Sequence, residues 1–148
     1  MTVRFMLDTD TCSFIIRGAD PALRRAVQRN ADGLCVSAVT VAELRCGAAK
    51  KGSPRIAEAV SRFLELVAVV PWTEEAADRY AALRSHLEAA GRPIGNMDML
   101  IAASALAEGC RLVTHNRAHF GRIPGLPVED WTAPAPPPPP PRRRRPPT

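Results

Sequence analysis

The sequence predicts an α/β protein: a central parallel sheet of about four to five strands, flanked by helices. Three observations lead there. Short apolar runs alternate along the chain with longer segments of helical apolar spacing. Cap and breaker residues punctuate the joins between them. Hydrophobic residues make up 46% of 148 residues, which is enough for the core of one domain.

The first strand is read at Val3–Leu7, and a first helix from about Thr11 to Arg17. Asp20-Pro21 opens a second helix, because Asp suits an N-cap and Pro the first helical position. "LCVSA" (34–38) is the second strand, followed by a helix over about Val39–Ala49. Pro54 opens a helix carrying Ile56, Val60, Phe63, Leu64 and Val67 on one face. "VAVVPW" (67–72) is a short strand. Thr73 then caps a helix whose first turn holds Glu74 and Glu75, where the helix dipole favours acids. A helix over about Asn96–Glu108 stops at Gly109, and "RLVTH" (111–115) is a strand. A helical turn and a last strand near Leu126–Val128 close the domain. Strands alternating with helices imply right-handed crossovers and a sheet covered on both faces. In such sheets ligands bind beyond the carboxyl ends of the strands.

The domain is expected to span residues 1–132. The remainder, "APAPPPPPPRRRRPPT" (133–148), holds nine of the 15 prolines and no large apolar residue, and reads as an extended, disordered tail. Arg142–Arg145 also carry most of the net charge of +5; without them 16 basic residues face 15 acidic ones. The folded part is therefore nearly neutral, and the high overall pI is no argument for a nucleic-acid surface on it. No apolar run reaches the roughly 18 residues of a membrane span. With no leader-like start, the expectation is a cytoplasmic protein with no membrane partner. Cys12, Cys35, Cys46 and Cys110 are widely spaced within apolar patterns and read as reduced core or near-core thiols.

The chemistry lies in the acids. "FMLDTDTCSFI" (5–15) places Asp8 just beyond the first strand. Glu43 follows the second strand, Asp98 opens the helix at Asn96, and Asn116 follows "RLVTH". Topology alone brings these four to one sheet edge. Each also has a structural explanation. Asp8 and Asp10 suit a turn or N-cap, although Thr9, Asp10 and Thr11 offer caps enough without Asp8. Glu43 completes a T-x-x-E capping box with Thr40. Asp98 complements a helix dipole, but "NMDMLIAASALA" is apolar almost all round, and a carboxylate there is costly without a partner. Together the acids would repel one another unless something positive sat among them. Hard oxygen donors without nearby His or Cys suit Mg²⁺ or Mn²⁺. Such ions activate water and neutralise charge on phosphorus. No glycine-rich phosphate loop, G-x-S-x-G or H-E-x-x-H offers a rival chemistry. His115 and His119 flank Asn116, within plausible reach of a substrate.

Four stretches in order, "MLDTD" (6–10), "SAVTVAEL" (37–44), "GRPIGNMDMLIAASA" (91–105) and "LVTHNRAHFGRIPGLPVEDW" (112–131), resemble the PIN domain, and within it the VapC toxins. The resemblance covers residues 3–131 and implies a PIN-like three-layer fold. By position it makes Asp8, Glu43 and Asp98 the metal-holding triad and puts Asn116 where many relatives carry Asp. His119 stands where many carry an acid, and Asp10 where Asn is usual; these departures favour one tightly held ion over two. The resemblance further implies Mg²⁺- or Mn²⁺-dependent cleavage of RNA (tRNA or ribosomal RNA) and a homodimer. It also implies a VapB-type antitoxin that blocks the site, with promoter DNA bound only through that antitoxin. Arg45, Arg92, Thr114 and His119 are the residues expected to touch RNA. The alternatives are a catalytically idle co-repressor partner of the antitoxin and a binding protein acting through the Pro/Arg tail.

Overall fold

The computed structural model describes residues 4–18, 20–132 and 138–141. The elements are β1 (Phe5–Leu7), α1 (Thr9–Arg17), α2 (Pro21–Arg29), β2 (Leu34–Ser37), α3 (Ala38–Lys51) and α4 (Pro54–Glu65). They continue with β3 (Ala68–Val70), α5 (Glu74–Ala89), α6 (Asn96–Glu108), β4 (Arg111–Val113), α7 (Arg117–Phe120) and β5 (Val128–Glu129). The tail expected from Ala133 lies outside the described residues except for 138–141, which are exposed.

All five strands are parallel, in the order β3-β2-β1-β4-β5. Met6 of β1 pairs with Cys35 of β2 and Leu112 of β4. Successive strand residues point to opposite faces, and here each face meets its own core. Met6, Cys35 and Leu112 pack with Leu83 and Leu87 of α5 and Ile101, Ala102 and Ala105 of α6. Leu7, Val36 and Val113 pack with Cys12 of α1, Leu44 and Ala48 of α3, and Val60 and Phe63 of α4. Both faces are apolar because both are covered, which gives the three layers.

The helix starts follow local chemistry. Asp20, Ser53 and Thr73 cap α2, α4 and α5 through side-chain oxygens. Two starts differ from the sequence expectation. Helix α1 begins at Thr9 rather than Thr11, because Asp8 itself is the N-cap. Helix α3 begins at Ala38 and is capped by Ser37, whose Oγ accepts from Val39 N at 3.2 Å. Thr40 thus lies within the helix, and the Thr40–Glu43 capping box does not form. The last strand falls at 128–129 rather than 126–128. Strand β4 ends at Val113 rather than reaching His115, because the Thr114 hydroxyl turns the chain by accepting from Asn116 N at 2.9 Å. Of the cysteines, Cys12, Cys35 and Cys110 are buried thiols as expected, whereas Cys46 is exposed.

Leu112 is fully buried at the middle of the sheet. Leu112→Ala is expected to cost about 2–5 kcal/mol, read as a fall in denaturant midpoint at constant slope. Val69→Ala, on the exposed edge strand β3, should change stability by no more than about 0.5 kcal/mol.

Candidate active site

The chain crosses from one half of the sheet to the other between β1 and β4, since β2 and β3 lie on one side of β1 and β4 and β5 on the other. At such a reversal, ligands bind beyond the carboxyl ends of the two strands that part. Asp8 leaves β1 there. Its backbone N–H donates to Val113 O at 3.1 Å, continuing the β1–β4 ladder by one step. The Asp8 residue is 3% exposed. Oδ1 accepts from Thr11 N at 2.9 Å, and Oδ2 accepts a short hydrogen bond from the Thr114 hydroxyl. Asp8 is thus helix cap and site carboxylate at once.

From Thr114 hydrogen bonds lead to His119, which stands near Asp98. Thr114 Oγ1 accepts from Asn116 N, the Asn116 amide lies 2.9 Å from Nδ1 of His119, and the same Nδ1 lies 3.7 Å from Asp98 Oδ2. Asn116 also caps the short α7, its Oδ1 accepting from His119 N at 3.4 Å. The structure therefore links five of the residues singled out in the sequence: Asp8, Thr114, Asn116, His119 and Asp98. Glu43 joins from the β2 side, where Oε1 accepts from the Thr9 hydroxyl at 2.6 Å. The oxygen of Thr9, next to Asp8, also lies 3.3 Å from the buried Thr40 hydroxyl, which is free to donate to it because the Thr9 proton goes to Glu43. Sequence reasoning missed the role of Thr9 and Thr11, treating them as spare caps. The alternation of hydroxyl and carboxyl groups in "DTDT" was the available signal.

Burial pushes the Asp8 carboxyl above its ordinary range, against the pull of the hydrogen bonds from Thr114 and Thr11, and the Asp10 charge adds to the rise. Burial likewise raises Asp98; the His119 imidazole opposes this and Asp10 again reinforces it. Two acids at one edge are thus held where their charged forms are disfavoured, the situation a divalent cation relieves. Their donor set is hard oxygen, which suits Mg²⁺ or Mn²⁺. Among the described residues no three Asp, Glu, His or Cys side chains stand close enough to enclose an ion. The fit therefore rests on the donor type and the unrelieved charge of Asp8 and Asp98.

The two arginines expected at RNA stand apart from the Asp8 and Asp98 network. Arg45, two positions from Glu43, is carried about 200° round the helix; it is exposed and lines a groove with Ala49, Pro54 and Ala57. Arg92 is exposed in the α5–α6 connection, tied through its backbone N–H to Leu87 O at 2.9 Å. Neither joins the network of Asp8 and Asp98 among the described residues. Glu43 and Thr9 instead border a larger groove of about 700 Å³ between α1, α3 and α4.

Residues 5–126 match the PIN domain. The chain belongs to the PIN-domain family. It is 36% identical over 130 residues to the "tRNA(fMet)-specific endonuclease VapC" of Salmonella typhimurium, across 87% of this chain and 98% of that protein. It is 32% identical over 130 residues to "Ribonuclease VapC2" of Haemophilus influenzae, across 87% and 98%. Among solved structures, the DNA-bound VapBC of Salmonella typhimurium aligns with a TM-score of 0.84 at 36% identity, over 88% of this chain and 99% of that one. The VapBC2 of Rickettsia felis, bound to a promoter DNA fragment, aligns at 0.83 and 32%, over 87% and 99%. Within the PIN domains, the chain therefore falls among the VapC ribonucleases, and the three-layer fold read from the sequence is the fold observed.

The raised carboxyls predict a pH dependence. A group whose folded pKa lies above its unfolded value costs stability once ionised, and that cost disappears as pH falls through the folded pKa toward the ordinary value. Asp98→Asn removes the cost from the Asp98 carboxyl, which faces Asp10 and His119. Without added metal, its denaturant midpoint at pH 7 should match or exceed that of the parent. The gain should shrink as the pH is lowered into the carboxylate range; a gain that grows on acidification would contradict the raised pKa.

Proposed function

We propose that this PIN-domain chain is the toxin of a type II toxin–antitoxin pair, an endoribonuclease that hydrolyses RNA phosphodiester bonds with Mg²⁺ or Mn²⁺. The observation that carries this reading is the Asp8–Thr114–Asn116–His119–Asp98 path at the switch point, in a chain whose relatives are VapC ribonucleases. Asp8 and Asp98 would hold the ion, with Glu43 completing the acidic set. When bound, such an ion lowers the pKa of a water and neutralises charge developing on the phosphoryl oxygens. The protein's own contribution is positional. Thr114 and Thr11 fix the Asp8 carboxyl, Asn116 orients His119 near Asp98, and Thr9 holds Glu43 on the β2 side. The substrate is a structured RNA, tRNA or ribosomal RNA; the similarity to a tRNA(fMet)-specific enzyme puts tRNA first. The folded unit ends near Thr132.

The partner is a VapB-type antitoxin. The groove between α1, α3 and α4 has an apolar floor of Ile16, Leu44 and Ile56 and a basic margin of Arg17, Lys51 and Arg55. That pattern suits a segment with apolar anchors and acidic flanks. Because the groove opens on Thr9 and Glu43, a segment lying in it covers one side of the site. In this reading the toxin acts as a homodimer and reaches promoter DNA only through the antitoxin; that the DNA-bound relatives are VapBC pairs is in keeping with the second point. Among the described residues no helix is long and apolar enough to cross a membrane, and a cytoplasmic RNA substrate puts the reaction in the cytoplasm. The open spacing of the acids also favours a second reading, a catalytically weak partner in repression.

Mn²⁺ titration into antitoxin-free protein separates the two. The toxin reading expects metal-dependent cleavage with discrete RNA 5′ ends, and Asp98→Asn should lose about 100-fold or more of it. No cleavage at any Mn²⁺ concentration would favour the repression reading. Calorimetry is expected to show one Mn²⁺ site per chain, because Asn116 and His119 supply no carboxylate. His119→Glu should strengthen a second site. Two equally tight sites in the unmodified chain would mean that Asp10 is also a ligand.

A further inference from the structure

Next to the carboxylates, on the side of β5, lies a group of side chains that the proposed chemistry does not use. His115 immediately precedes Asn116, and its side chain is 59% exposed. Its Nδ1 lies 2.9 Å from Thr132 Oγ1 and 3.2 Å from Asp130 Oδ2. Thr132 donates both its hydroxyl (2.6 Å) and its backbone N–H (2.9 Å) to Asp130 Oδ1. With the Thr132 hydroxyl proton given to Asp130, its oxygen and the carboxylate are both acceptors facing Nδ1. The neutral imidazole must therefore carry its proton on Nδ1 and its lone pair on Nε2. Among the described residues Nε2 has no partner.

The His115 ring makes a T-shaped contact with Phe14 of α1, with centroids 6.1 Å apart and planes at 89°. Over the same phenyl ring lies the Arg17 guanidinium, 5.0 Å from the centroid. Arg17 Nε donates to Ser13 O at 3.3 Å, and its terminal amino groups have no partner among the described residues. One aromatic ring thus braces an exposed arginine at the end of α1 and an exposed histidine of fixed tautomer next to Asn116. Long exposed side chains ordinarily lose entropy on being held, so a braced pair costs little to recruit when a ligand binds.

We propose that Arg17, Phe14 and His115 form a subsite for single-stranded RNA flanking the cleaved bond. Arg17 takes a backbone phosphate, and His115 Nε2 accepts from a ribose 2′-hydroxyl. A planar guanidinium matches the phosphate oxygens, and the 2′-hydroxyl is the donor that separates RNA from DNA. Phe14 is a positioning residue. The inference rests on the ribonuclease reading, since it deepens that reading by naming how the chain selects RNA.

Binding measured without metal keeps the two apart. The probe is a fluorescein-labelled single-stranded RNA of about 12 nucleotides, with the DNA of the same sequence beside it, followed by anisotropy in EDTA across a salt series. Arg17→Ala is expected to weaken RNA binding about fivefold and to flatten the log–log salt slope by about 0.7, one phosphate contact on a single strand. His115→Phe keeps the ring against Phe14 but removes Nε2, and should reduce the preference for RNA over DNA about threefold. Phe14→Leu should lose part of the Arg17 salt slope, and Phe14→Tyr should retain it. Arg62→Ala, on the exposed face of α4, serves as the control and should change neither quantity. Unchanged salt slope in Arg17→Ala and unchanged RNA preference in His115→Phe, in proteins with parental circular dichroism, would overturn the subsite. Loss of Mn²⁺-dependent cleavage with these binding effects intact would instead count against the nuclease reading alone.

Discussion

Everything at the candidate site depends on one carboxylate held between the two central strands. Asp8 stands where β1 and β4 part, with one oxygen on the Thr11 amide and the other on the Thr114 hydroxyl. A carboxyl group this deeply buried would be expensive if unpaired; those two donors keep it in place. The same contacts fix the start of α1 and the end of β4. The position of the acid, the entry of a helix and the exit of a strand are therefore one structural fact. The hydrophobic cores on either face of the sheet hold β1 and β4 in register, and thereby hold Asp8 and Thr114 within reach of each other.

The site also stores a conflict. Burial and the nearby Asp10 charge raise the carboxyls of Asp8 and Asp98. Only His119, linked to Asn116, partly offsets this at Asp98. Functional edges commonly retain such unfavourable charge because the ligand relieves it. The covered sheet behind the edge supplies the stability that such an arrangement spends.

Helix α1 connects the parts of the functional surface. In nine residues it receives its cap from Asp8, ties Glu43 through Thr9, and braces Val113 O through the Thr11 hydroxyl at 3.3 Å. It then buries Cys12 in the core and presents Phe14 and Arg17 at the surface. The helical period accounts for this division: Thr11 and Cys12 turn inward, while Ser13, Ile16 and Arg17 line the groove. Arg17 borders both that groove and the cluster with His115. A segment filling the groove would therefore act on substrate binding as well as on the acids.

The alternation of strands and helices, most helix starts and the acids at the strand ends can be read along the chain. These depend on local signals: apolar periodicity, an Asp-Pro or Ser-Pro start, a Gly stop, and acids just beyond strand ends. Asp8, Asp98 and Asn116 were singled out on those signals, whereas Thr114 and His119 were expected only to touch RNA, and Thr114 is fully buried beneath Asp8. What local signals could not decide was which of several adjacent hydroxyl and carboxyl groups would do which task. In "DTDT" each residue is chemically able to cap a helix. Only the approach of β4, which brings Thr114 onto Asp8, gives the cap and the site to the same side chain. In α3, burial of Thr40 against Thr9 leaves the cap to Ser37. Arg45 follows the same rule in reverse. It is near Glu43 in sequence, but the turn of the helix carries it to another groove. The pairing of His115 with Asp130 and Thr132 spans 15 to 17 residues and depends on β5 lying beside β4. Strand order is a long-range property of the folded chain, and no short stretch of sequence encodes it.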